Sequence, residues 1–123
     1  MSGSGEIPPM LQSQLAQLQQ LKAQLEAVVR QKMQVEALLK DSESALTELG
    51  KLDENSVVYQ NVGELMIKVG KEEVKGDLSE KKETYDLRLK TLERQEERVQ
   101  KKYQQLQQQL REALGAGQQT MGA

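Results

Sequence analysis

The chain has no cysteine and no histidine. These absences exclude disulfide cross-links, thiol nucleophiles, imidazole bases and metal sites built on Cys or His. Phenylalanine and tryptophan are missing too, and the only aromatics are Tyr59, Tyr85 and Tyr103. Compact interiors lean on aromatic side chains for buried area, so a thick globular core is not expected from these 123 residues. Proline is confined to Pro8 and Pro9. Charge of one sign does not dominate: 17 basic residues stand against 19 acidic. That balance suits solvated helix faces and gives no phosphate-binding surface, so nucleic acid is not an expected partner. No run approaches the ~20 apolar residues that span a bilayer. Met1 to Glu6 also lacks the basic segment and apolar run of a signal peptide. The expectation is a cytoplasmic protein with no membrane partner. Neither GxGxxG nor GxxxxGK[ST] occurs. Clustered carboxylates such as Glu93, Glu96 and Glu97 have no expected pocket to desolvate them and fit a solvated helix face. No enzymatic activity, metal or cofactor is expected.

What remains is rich in heptads. Leu18, Leu21, Leu25, Val28 and Lys32 begin a 3-4 spacing that continues through Val35, Leu39, Ser42, Leu46 and Leu49. This is the a/d seam of a coiled coil. Leu11 lies in the frame and Leu15 one position off it. Pro8 and Pro9 suit a first helical turn, and Gly50 marks the stop, so one helix is predicted over residues 10–50. A second series, Leu78, Tyr85, Leu92, Val99, Leu106 and Ala113, recurs every seven residues. Its companion positions Lys82, Leu89, Glu96, Tyr103 and Leu110 are apolar in three of five cases. The second helix begins either near Lys71 or at Asp77, where Asp77 and Glu80 resemble a capping pair, and ends at Leu114 before two glycines. Each helix has about 40 residues, roughly 60 Å at 1.5 Å per residue, as an antiparallel helical hairpin requires.

Between them, Val57 to Gln60 and Leu65 to Val69 are rich in strand formers, joined by Asn61-Val62-Gly63-Glu64. A lone two-stranded hairpin is marginally stable in water. Its unpaired edges predict pairing with hairpins of other chains. The expected fold is mainly α: a long antiparallel two-helix coiled coil with one central β-hairpin that joins an intermolecular β-barrel hub. The organisation is one domain over 1–123, with a flexible 1–9, helix 10–50, hairpin 56–69, helix 71–114 and a flexible tail 115–123. Glutamines crowd the outer half of each helix, from Gln12 to Gln24 and from Gln100 to Gln109. An antiparallel pairing sets these neutral stretches side by side.

The run Val57-Val58-Tyr59-Gln60-Asn61-Val62-Gly63-Glu64-Leu65-Met66-Ile67-Lys68-Val69 resembles the hairpin of β-class prefoldin subunits, with its V-Y-x-x-V-G-x-x-x-x-K pattern. Leu92 to Glu96 is similar to that family's second helix, and the resemblance covers about residues 8–114. One hairpin, not two, points to the β class, and the brief tails to an archaeal member. The resemblance implies an ATP-independent co-chaperone, a hexamer of two α and four β subunits. Its coiled-coil tips would hold unfolded polypeptide clients and deliver them to a group II chaperonin. The expected partners are therefore a prefoldin α subunit, other β subunits, such clients and the chaperonin. Transferred here, the oligomerising hairpin is Val57, Val58, Tyr59, Val62, Gly63, Leu65, Ile67 and Val69. The client-binding tips are Ile7, Met10, Leu11 and Leu15 from one end and Leu106, Leu110 and Leu114 from the other. The rival reading from the residues alone is a structural tether or assembly scaffold that binds one folded partner. Suppression of aggregation of several unrelated proteins separates the two.

Overall fold

Pro9 supplies the first residue of helix α1, where the missing N–H costs nothing, and the Pro8 carbonyl accepts from the Gln12 amide at 3.0 Å. The computed structural model describes the backbone of residues 8–122 and the side chains of residues 8–115. Helix α1 spans Pro9–Gly50, strand β1 Val58–Val62, strand β2 Leu65–Val69 and helix α2 Lys71–Gly122. The first helix and the hairpin follow expectation to within two residues.

Gly50 closes α1 and α2 starts at Lys71, one of the two expected starts; only the end of α2 differs. Gly50 is the last residue of α1 without a left-handed conformation, since Gly63 is the only described glycine with positive φ. The helix ends instead by tightening: the Lys51 and Leu52 amides donate to the carbonyls of Glu48 and Leu49, a 3₁₀-type finish. Helix α2 starts at Lys71, with the Gly70 carbonyl accepting from the Val74 amide at 3.0 Å. Glu72 and Glu73 complement the dipole of its first turn. Asp77 is therefore an interior helical residue and not a cap. At the other end α2 continues past Leu114, through Gly115 and Gly117, to Gly122. A helical glycine costs only about 1 kcal/mol relative to alanine, and no proline follows to stop the chain.

The chain forms two compact units. One comprises residues 31–92: the inner halves of both helices and the hairpin. Val35, Ser42, Leu49 and Leu92 are its buried residues. Leu39, Leu46, Leu78, Tyr85 and Leu89 are half-buried along the same seam. The other comprises the outer segments, up to Arg30 and from Glu93 onward. There Leu106 and Leu110 are buried, with Leu18, Leu21, Leu25, Val28, Val99 and Tyr103 half-buried. Every a and d position of the two heptad series is at least partly covered except Ala113, which is exposed. No described side chain is more than 98% buried. A two-helix seam has only two walls, which is the architecture a chain without Phe or Trp can fill.

Candidate functional site

The hairpin is a two-stranded antiparallel sheet in which Val58 pairs with Val69, Gln60 with Ile67 and Val62 with Leu65. Val62 thus belongs to β1 and the turn shortens to Gly63-Glu64. Gly63 has φ of 60°, and no described non-glycine residue has positive φ. That is the pattern of a type II′ turn, whose first central position favours glycine.

Alternation sorts the side chains. Val58, Gln60, Val62, Leu65, Ile67 and Val69 share one face, and Tyr59, Asn61, Met66 and Lys68 the other. Val58, Gln60 and Val69, at the open end of the hairpin, are half-buried, whereas Leu65 and Met66 near the turn are 66% and 69% exposed. Val57, Tyr59, Val62 and Ile67 are exposed as well. Apolar side chains on both faces, beside two unpaired strand edges, make a surface that water solvates poorly. The expected hairpin residues are therefore gathered on one element. Met66, which was not among the expected hairpin residues, joins them.

Beneath the hairpin lies an open cleft of about 560 Å³ whose lining includes Gln60, Leu38, Tyr85 and Arg88. Asp77, Glu80, Lys81 and Thr84 complete it. A lining that mixes both charges offers no convergent donor set, and the described residues include no cluster of acidic, His or Cys side chains able to hold a metal. At the edge of this unit the Lys71 ammonium donates to the Leu52 carbonyl at 2.8 Å. That bond ties the connection after α1 to the start of α2.

The second surface belongs to the outer unit. Met10 is 74% exposed and Leu114 56%, and Leu15 is exposed as well, while Leu11 is half-buried. Leu106 and Leu110 depart from expectation: they are buried, because they fall on the d and a positions that close the seam. Their sequence position near a chain end suggested availability, but their heptad position decides. Ile7 lies outside the described residues. Among those described, no helix is long and apolar enough to cross a membrane.

Comparison with known proteins gives this arrangement a family. The sequence profile described as "Prefoldin subunit" matches residues 12–117. The prefoldin subunit beta of Archaeoglobus fulgidus is 52% identical over 110 residues, covering 89% of this chain and 95% of the relative. That of Methanothrix thermoacetophila is 53% identical over 112 residues, covering 91% and 93%. Among solved structures, the crystal structure of the prefoldin beta subunit from Thermococcus strain KS-1 matches with a TM-score of 0.82 at 40% identity, over 89% of this chain and 96% of that one. The prefoldin beta2 subunit of the same strain shares the fold, with a TM-score of 0.67 at 15% identity, over 74% and 97%. With its single central hairpin between two packed helices, the chain belongs to the prefoldin family of non-enzymatic chaperones, among its β subunits.

Proposed function

We propose that this chain is a subunit of an ATP-independent co-chaperone, assembled through its hairpin into a hexamer of two α and four β subunits. The hexamer captures non-native polypeptide at its coiled-coil tips and hands it to a group II chaperonin. The observation that carries the capture step is the exposure of Met10, Leu15 and Leu114 in the unit that lacks the hairpin. They stand among glutamines, so the surface is apolar in places, polar elsewhere and nearly uncharged. Burial returns roughly 25 cal/mol per Å² of apolar area and demands no particular side-chain geometry, so such a site accepts many sequences. Methionine adds adaptability. Several arms around one client raise the effective concentration of weak sites. The assembly step is supported by the exposed hairpin, which leaves apolar residues and strand edges for neighbouring hairpins to cover.

The test trims Met1 to Gln14 and Arg111 to Ala123, all outside the hairpin unit, and in parallel replaces Met10, Leu15 and Leu114 by Ser. Both proteins should reach full hexameric mass with an α subunit and lose the ability to suppress aggregation of several unrelated denatured proteins. A hexamer of either variant that suppresses aggregation as well as the intact protein overturns the assignment of capture to the tips. Selectivity for one folded partner would instead favour a scaffold.

A further inference from the structure

Within the outer unit the surface of α2 changes character partway along. Seven of the ten residues 93–102 are charged, and none of the eight at 103–110 is. Charged side chains would solvate that stretch equally well and add i,i+4 support to the helix, yet glutamine takes their place. Gln100, Gln104 and Gln108 form one i,i+4 row, and all three are exposed. Gln100 and Gln104 have no hydrogen-bond partner among the described residues. Gln108 donates to the Glu112 carboxylate at 3.4 Å, which leaves its carbonyl and its second N–H to spare. The half-buried Tyr103 lies beside the row. The row is separate from the exposed Met10, Leu15 and Leu114.

A glutamine side chain ends in the carboxamide that a peptide unit also contains, a C=O that accepts and N–H groups that donate. In an extended chain every second residue turns its own N–H and C=O to the same edge, so one carboxamide can accept from that N–H and donate to that C=O. These edge groups recur about every 6.4–6.8 Å, the length of two strand residues. Successive glutamines of the row rise about 6 Å along the helix, and the inclination of an i,i+4 row lengthens each step toward the strand repeat. We propose that Gln100, Gln104 and Gln108 are a backbone-reading row, a site that takes an extended polypeptide segment by its peptide groups whatever its side chains. The proposal rests on the client-capture reading and names its substrate class: extended chain with unpaired backbone groups. Unfolded polypeptide offers that, whereas a folded protein has already paired nearly all of its own. The apolar tips supply burial, and the row supplies direction. The uncharged stretch suits this task, because an ammonium offers only donors, a carboxylate only acceptors, and either would select against segments of its own sign.

The test combines Gln100→Met, Gln104→Met and Gln108→Met, since methionine is close to glutamine in length and helix propensity but has no N–H to donate. Binding is read on the full chain with a fluorescent, unstructured peptide of about ten residues rich in Leu, Thr and Ser, roughly 33 Å when extended. A second peptide of the same sequence is N-methylated at every central residue, which removes the donors of both edges. The triple variant should bind the plain peptide about tenfold more weakly, one net hydrogen bond being worth roughly two- to tenfold. The intact chain should bind the methylated peptide as weakly as the variant binds the plain one. Apolar capture alone predicts the reverse, because three methionines enlarge the apolar surface. Unchanged or tighter binding by the variant, or equal binding of both peptides by the intact chain, overturns the proposal. So does a variant that loses assembled mass, which would give the row to contacts between copies. The variant with Met10→Ser, Leu15→Ser and Leu114→Ser separates the two readings. Peptide binding that survives there but fails in the methionine variant overturns capture at the tips and leaves the row, and the opposite pair of results overturns the row and leaves the tips. If the methionine variant loses its helical signal, the two peptides on the intact chain decide alone.

Discussion

Leu92→Ala and Leu87→Ala delete the same three carbons from one helix, five residues apart, and the seam predicts different outcomes. Leu92 is 7% exposed and Leu87 60%. At about 0.8 kcal/mol per buried methylene, the lost transfer energy at Leu92 is roughly 2.4 kcal/mol. Leucine-to-alanine changes in closed cores cost about 2–5 kcal/mol, the excess coming from the cavity left behind. Here that excess should be small. No described side chain in this two-walled seam is fully buried, so a gap at Leu92 opens to water and the helices close on it. The expected cost is about 2–3 kcal/mol. At Leu87 most of the deleted area already faces solvent, and alanine's better helix propensity offsets part of the remainder, leaving about 0.5 kcal/mol or less. Urea unfolding followed by helical circular dichroism measures both, at one fixed chain concentration because an assembling protein's stability depends on it. Equal losses for the two variants, or a loss below about 1 kcal/mol at Leu92, would refute the seam as the source of stability in the arm.

Other outcomes follow from the hairpin and the glycines. Ile67→Asp, on the partly exposed face that also carries Val62 and Leu65, should leave the helical signal largely intact and lower the assembled mass, because a carboxylate buried between hairpins is costly; full mass in solution would move the assembly surface elsewhere. Gly63→Ala and Gly76→Ala meet open space alike but should differ in sign. Alanine at Gly63, with φ of 60°, costs roughly 1–2 kcal/mol in backbone strain, whereas in the interior of α2 it gains about 0.5–1 kcal/mol. Thermal melts of the two variants moving in the same direction would contradict this.

The long-period features were legible because they are redundant. Ten positions at 3-4 spacing, eight of them aliphatic and the other two Lys32 and Ser42, place α1 whatever happens at any one of them, and all ten are at least half-buried. The hairpin was legible from the strand formers on either side of Asn61-Val62-Gly63-Glu64. Single-residue events were not. Gly50 was expected to close α1 and is its last residue, but that i+3 backbone hydrogen bonds and not a left-handed glycine finish the helix could not be read from composition. Leu106 and Leu110 were assigned to a binding surface by their nearness to the chain end, although the same heptad arithmetic that placed Leu92 in the seam places them there too.

The missing aromatics acquire a physical reason once the seam is seen to have two walls. Phe or Trp carries 150–250 Å² of surface, and among described positions even the best-covered, Val35 and Leu110, remain 5% exposed. A large ring in such a seam would leave part of itself in water along the whole arm, and each such edge would be a place for an unfolded chain or another copy to adhere. Leucine and valine fill the seam with less left over. The exposed apolar groups then gather on the hairpin and near the helix ends, with Val29, Met33, Leu38 and Leu87 as the outliers along the helices. In the proposed function that sorting lets one chain carry two separate adhesive surfaces, one for other subunits and one for clients, without becoming adhesive throughout.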